Sequence, residues 1–161
     1  MRGTWTRVTG ASLLAMTWVG LAAPAGGDPA PDEEHCVLVV VGQEPDGELR
    51  TAPIRCAPTR ASALDRALAG RELADWPIGT HYDGAGFTGS SVTVVGADCT
   101  GGWLNLPGTW NDRISSTLHG CPHIKHHLHV GLAGTSQTTT TPGGNLGSTL
   151  NDETSSIQYL P

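Results

Sequence analysis

One hexapeptide pattern occurs twice in this chain, 40 residues apart: Asn111-Asp112-Arg113-Ile114-Ser115-Ser116, then Asn151-Asp152-Glu153-Thr154-Ser155-Ser156. Four of the six positions are identical, and what they share is oxygen: a carboxamide, a carboxylate and two hydroxyls. Hard cations such as calcium take about six to eight oxygen ligands from carboxylates, amides, carbonyls and water. The same residue types also build Asx and Ser turns by bonding their own backbone. One copy alone reads as a turn. Two copies in matching context point to two related cation sites on two related halves of a fold.

The context does match. Tyr82-Asp83-Gly84-Ala85-Gly86-Phe87-Thr88-Gly89 precedes the first hexapeptide, and His127-Leu128-His129-Val130-Gly131-Leu132-Ala133-Gly134 precedes the second with the same spacing. Repetition on this scale marks duplicated supersecondary units. Glycines at 84, 86, 89, 96, 101 and 102 punctuate short β-branched runs such as Ser91 to Val95, a pattern of strands and turns that argues for a sandwich.

At these residues the chain resembles the βγ-crystallin family, in its secreted bacterial calcium-binding form. That family carries an aromatic-xxxx-aromatic-x-Gly hairpin, satisfied by Tyr82, Phe87 and Gly89, and an [Asn/Asp]-[Asn/Asp]-x-x-[Ser/Thr]-Ser loop, satisfied by both hexapeptides. The second hairpin departs from the pattern, with His127 and Leu132 in the aromatic places, but keeps Gly134. The resemblance spans roughly residues 78 to 160. It implies a mostly β, two-Greek-key sandwich over 77–161, and two calcium ions held where each hexapeptide meets the hairpin of the other key. One site would take Asn111 or Asp112, Ser115, the Arg113 carbonyl and the Val130 carbonyl. The other would take Asn151 or Asp152, Ser155, the Glu153 carbonyl and the Ala85 carbonyl. Ser116 and Ser156 would hold the loops. Affinity rises with ligand charge. The second loop, with two acids and no base, is therefore expected to bind more tightly than the first, which has one acid and Arg113.

Ahead of that region the chain reads differently. Arg2 and Arg7 followed by an apolar stretch from Ala11 to Ala23, then Ala23-Pro24-Ala25, have the form of a secretory signal peptide over 1–25. The stretch falls short of the ~20 apolar residues a membrane span needs. Residues 26–34, mostly Gly, Pro and acid, read as a disordered lead-in. Residues 35–76 read as a small strand-strand-helix extension: His35 to Val41 a buried strand, Leu49 to Arg55 an edge strand with Pro53, and a helix from Ala61 to Leu73 capped by Thr59. Four cysteines in a secreted chain imply disulfides. Three connectivities exist; Cys36 with Cys56 and Cys99 with Cys121 keep each bond within its own segment. Zinc is the alternative use, but no Cys-x-x-Cys pair is present.

Charge narrows the function. Without Arg2 and Arg7, seven basic residues stand against 15 acidic ones, which argues against nucleic-acid and anionic-membrane partners. No Gly-x-Ser-x-Gly, His-Glu-x-x-His or phosphate loop occurs, and the expectation is a non-enzyme and a monomer. A Ser115–His127–Asp112 triad exists only on paper. His119, His123, His126, His127 and His129 cluster in sequence, but without a zinc spacing. Two readings remain: a calcium-binding module stabilised outside the cell, or a peptidase inhibitor or toxin-like effector on the same fold, acting on an extracellular protein target.

Overall fold

A computed structural model describes residues 33–71 and 76–161. The expected signal peptide and most of the lead-in lie outside the described residues. Glu34, read as part of that lead-in, is hydrogen-bonded: its N–H donates to Ser90 Oγ at 3.1 Å and its carbonyl accepts from Ser91 N at 3.1 Å.

The β-branched run at the start becomes β1 (His35–Gln43). The expected second strand is split into β2 (Leu49–Thr51) and β3 (Arg55–Ala57), which pair antiparallel with the two ends of β1. Pro53 sits in the gap, where a residue without an N–H costs no ladder bond. Helix α1 (Arg60–Leu68) is capped by the Thr59 side chain, which accepts from Ser62 N. It stops short of Leu73, because Gly70 takes a left-handed conformation at φ +75° and turns the chain.

The rest is β4 (Trp76–Gly84), β5 (Thr88–Gly96), β6 (Trp103–Asn105), β7 (Ser116–His119), β8 (His123–His129), β9 (Ala133–Thr140), β10 (Gly143–Asn145) and β11 (Ser156–Leu160). Strands β4 to β7 form one key and β8 to β11 the other. Each key lends its third strand to the other's sheet: one sheet runs β10-β7-β4-β5-β1-β2 with β3 also on β1, and the other runs β6-β11-β8-β9. The N-terminal segment is built into the first sheet, since β1 pairs parallel with β5 from His35↔Ser91 to Val39↔Val95.

Alternation sets the faces. On β1, Cys36 and Leu38 join the main core with Ile78, Val92, Val94, Leu104, Trp110, Ile114, Ile124, Ile157 and Tyr159. Val37 and Val39 point the other way and, with Val95, are covered by Ala63 of α1. Disulfides link Cys36 to Cys56 and Cys99 to Cys121. No helix among the described residues is long and apolar enough to cross a membrane.

Candidate metal centre

Both hexapeptides lie in loops that lead into the last strand of a key, β7 and β11. Their backbones bond to each other across the pseudo-symmetry axis: Asp112 N donates to Thr154 O and Asp152 N to Ile114 O, both at 3.0 Å. Ile114 is fully buried, as its apolar side chain between polar neighbours implies. Its counterpart Thr154 is equally buried and donates its hydroxyl to Leu150 O. Asp112 and Asp152 take left-handed φ values of 54° and 58°, a region that Asp tolerates better than most residues.

This pairing throws each aspartate across to the other key. Ser115 Oγ lies 2.9 Å from Asp152 Oδ1 and 2.8 Å from the Asp83 carbonyl. Ser155 Oγ lies 3.1 Å from Asp112 Oδ1 and 2.9 Å from the Leu128 carbonyl. The clamp is therefore crossed, but by the acid and not by the hairpin. The expected groupings set Ser115 with Asp112 and Val130, and Ser155 with Asp152 and Ala85; in the structure the serine hydroxyls meet Asp152 and Asp112 respectively. Strand order gives the reason. β7 pairs with β4 and β11 with β8, so each serine is laid against its own key's hairpin. Val130, at the tip of the second hairpin, is 59% exposed and stands on the Ser155 side. Ala85 stands on the Ser115 side, with its carbonyl accepting from Thr88 Oγ1.

The remaining candidates surround these clusters. Asn151 Nδ2 donates to Asp152 Oδ2 at 3.0 Å. Asn111 is half-buried, its N–H bonded to Pro107 O, while Glu153 is exposed. Arg113 pairs with Asp83 at 2.8 Å and lies over the Trp110 ring at 4.8 Å. Its charge is thus spent on Asp83, which the sequence reading passed over. With the acids exchanged between keys, the expectation that the second hexapeptide makes the tighter site no longer follows, because Asp152 serves the Ser115 cluster.

Proton counting separates the two serines of each loop. A hydroxyl has one proton to donate. Ser116 Oγ donates it to Gly84 O and accepts from Phe87 N, while Ser156 Oγ donates to His129 O and accepts from Leu132 N. These hydroxyls are satisfied and hold the hairpins. Ser115 Oγ and Ser155 Oγ each face two acceptor oxygens with one proton between them. Each cluster is an all-oxygen set, one of its members a carboxylate, in which lone pairs outnumber donors. Such a set fits calcium.

Two further residues were missed. Asn145 Oδ1 accepts from Gly86 N at 2.7 Å, and Asn105 Oδ1 from Gly131 N at 2.8 Å, so each exchanged strand caps the other key's hairpin. Their spacing of 40 residues, equal to that of the hexapeptides, was the available signal.

The histidines do other work. His81 Nδ1 and His126 Nε2 both contact Thr117 Oγ1, at 2.8 and 2.9 Å, and His81 Nε2 meets Tyr159 OH at 3.0 Å. Gly79 makes room for this network, since a Cβ there would lie 2.8 Å from Ile124 and 2.9 Å from Tyr159. Burial, then the neighbouring His126 and His119, hold His81 well below its ordinary pKa. Burial lowers His126 to about 3 and raises Tyr159. The five clustered histidines do not converge as ligands. Among the described residues the group close enough to share a metal is Glu34 with Cys36 and Cys56, whose sulfurs are joined in a disulfide. Ser115 meets oxygens and no imidazole, so the paper triad is not assembled. His35 Nδ1 does meet Ser91 Oγ at 2.8 Å, but Ser91 is fully buried where β1 joins β5.

Two keys that exchange third strands, each with a glycine-turned hairpin and a serine-pinned hexapeptide, define a βγ-crystallin-like Greek-key sandwich. Solved structures that match the chain are βγ-crystallin domains. One from Clostridium beijerinckii is 21% identical with a TM-score of 0.42, covering 51% of this chain and 97% of its own. One from Flavobacterium johnsoniae is 26% identical with a TM-score of 0.39, covering 50% and 91%. A clostrillin double mutant in complex with nickel is 20% identical with a TM-score of 0.42, covering 50% and 95%. No protein-family model and no curated protein matches the chain.

Proposed function

We propose that this chain is a secreted, non-enzymatic, monomeric calcium-binding protein whose fold two calcium ions stabilise. The observation that carries the reading is the proton deficit at Ser115 and Ser155, where each hydroxyl faces a carboxylate oxygen and a carbonyl oxygen at once. Ser115, Asp152 and the Asp83 carbonyl would hold one ion; Ser155, Asp112 and the Leu128 carbonyl would hold the other. Bound calcium supplies the positive charge that lets these oxygens converge. Each site draws on both keys, which meet in this arrangement only in the folded chain. Calcium therefore favours the folded state.

A ligand specific to the native state adds RT ln(1 + [L]/Kd), about 2.7 kcal/mol per site at a hundredfold excess. Calorimetry of the protein with calcium should show two binding events, and melting should shift upward by several degrees against chelator. Asp152→Ala and Asp112→Ala should each remove one event. Magnesium should do little, because it demands stricter octahedral geometry and keeps its water. No heat at millimolar calcium together with an unchanged melting curve would reduce the hexapeptides to turns. A protease-inhibition panel would then test the inhibitor reading.

A further inference from the structure

At the end of the sandwich away from the hexapeptides lies a cavity of about 310 Å³. Strand β4 joins the two ends: Ile78 lines the cavity, and Asp83, five residues on, reaches the Ser115 cluster. Ile78 and Tyr159, each 1% exposed, seal its apolar base. Val40 and Leu49, from the N-terminal segment outside the Greek keys, make one wall. Without β1 and β2 this space would be open surface. Gly102 keeps another wall close, since a Cβ there would lie 2.6 Å from Leu49 Cδ2.

The lining carries one charged side chain, the exposed Asp98. Both hydrogen bonds to this carboxylate, from Thr100 N at 3.0 Å and Thr100 Oγ1 at 2.6 Å, fall on Oδ1. Among the described residues Oδ2 accepts no hydrogen bond and no cation pairs with Asp98. Arg50, whose guanidinium lies against Gly42 at the rim, is paired with Glu44 at 3.0 Å. The Thr100 hydroxyl, then its N–H, hold Asp98 below its ordinary pKa, so the charge persists under mildly acidic conditions. The size sits at the lower end of ligand pockets, about 300–1,000 Å³, and the pattern of apolar walls with one placed polar group is the usual one.

We propose that this cavity binds a small primary amine with a compact aromatic or aliphatic body, the body against Val40, Val41 and Leu49 and the ammonium group on Asp98 Oδ2. The site is independent of calcium and gives the N-terminal segment a binding role. It can be tested by following backbone amide resonances of the full chain during titration with benzylamine, benzyl alcohol or benzoate, each with calcium and with chelator. Benzylamine should shift Val41, Gly42, Ala97 and Gly102 saturably, and bind at least fivefold more tightly than the alcohol, with benzoate weakest. Asp98→Asn should bring benzylamine down to the alcohol while leaving the alcohol unchanged. Ala97→Trp, at an exposed position on the mouth, should abolish all three while the remaining spectrum stays native. The proposal is overturned if benzoate binds as well as benzylamine, if Asp98→Asn leaves the preference intact, or if no saturable shift occurs at these residues at millimolar ligand.

Discussion

Ser115 and Ser116 are neighbours of one chemical type, yet one proton suffices for Ser116 and not for Ser115. The two should therefore respond differently to truncation. Ser116→Ala leaves the Phe87 N–H and the Gly84 carbonyl without their partner, at a cost of about 1–3 kcal/mol. That loss should appear equally in calcium and in chelator. Ser115→Ala removes a hydroxyl from an oxygen-crowded cluster, so it should cost little in chelator and erase one site's calcium increment. Denaturant melts of both variants in the two conditions decide the matter. Equal losses for both variants in chelator would make Ser115 a structural hydrogen bond and nothing more.

At the scale of elements, the sheets meet over a polar seam as well as an apolar one. His81 from β4, Thr117 and His119 from β7, His126 from β8 and Tyr159 from β11 face one another between them. Both buried imidazoles have folded pKa values below the unfolded value of about 6.5. Their contribution to stability is therefore intact above about pH 6.5 and is lost as the pH falls below it, for His126 toward about 3. For His126 the loss amounts to about 2 kcal/mol at pH 5. Thermal melts from pH 7 to pH 4.5 in chelator should show a steep fall that His126→Gln partly flattens. A wild-type melting temperature that is level over this range would contradict the buried neutral pair.

For the whole molecule, the first sheet extends past the Greek keys by three strands, and a disulfide joins two of them. Cys36–Cys56 ties β1 to β3, while Cys99–Cys121 ties the loop after β5 to the turn before β8. Closing loops of 20 and 22 residues is worth about 3 kcal/mol each in the chain-entropy account. Cys99→Ala with Cys121→Ala should lower the melting temperature by many degrees, and non-reducing digestion of wild type should release these two bonded pairs. A peptide joining Cys36 to Cys99 or Cys121 would refute the pairing.

The sequence by itself determined the repeat, and the repeat carried most of the fold. Paired hexapeptides and hairpins marked two β keys, β-branched runs marked β1 and β5, Thr59 marked the helix start, and segment-wise cysteine pairing matched the bonds formed. The composition of the candidate site was also legible, because Asp and Ser at fixed offsets announce oxygen chemistry wherever the chain puts them. Their partnership was not. Sequence spacing places Asp112 beside Ser115, but the backbone bonds between Asp112 and Thr154, and between Asp152 and Ile114, exchange the acids between keys. The parallel docking of β1 on β5 was equally out of reach, since parallel pairing leaves no local turn signal. Asp98 and Leu49 lie 49 positions apart in sequence and line one cavity only because that docking brings the N-terminal segment over Ile78 and Tyr159. Local chemistry is written along the chain; which distant groups share one small volume is decided by strand order.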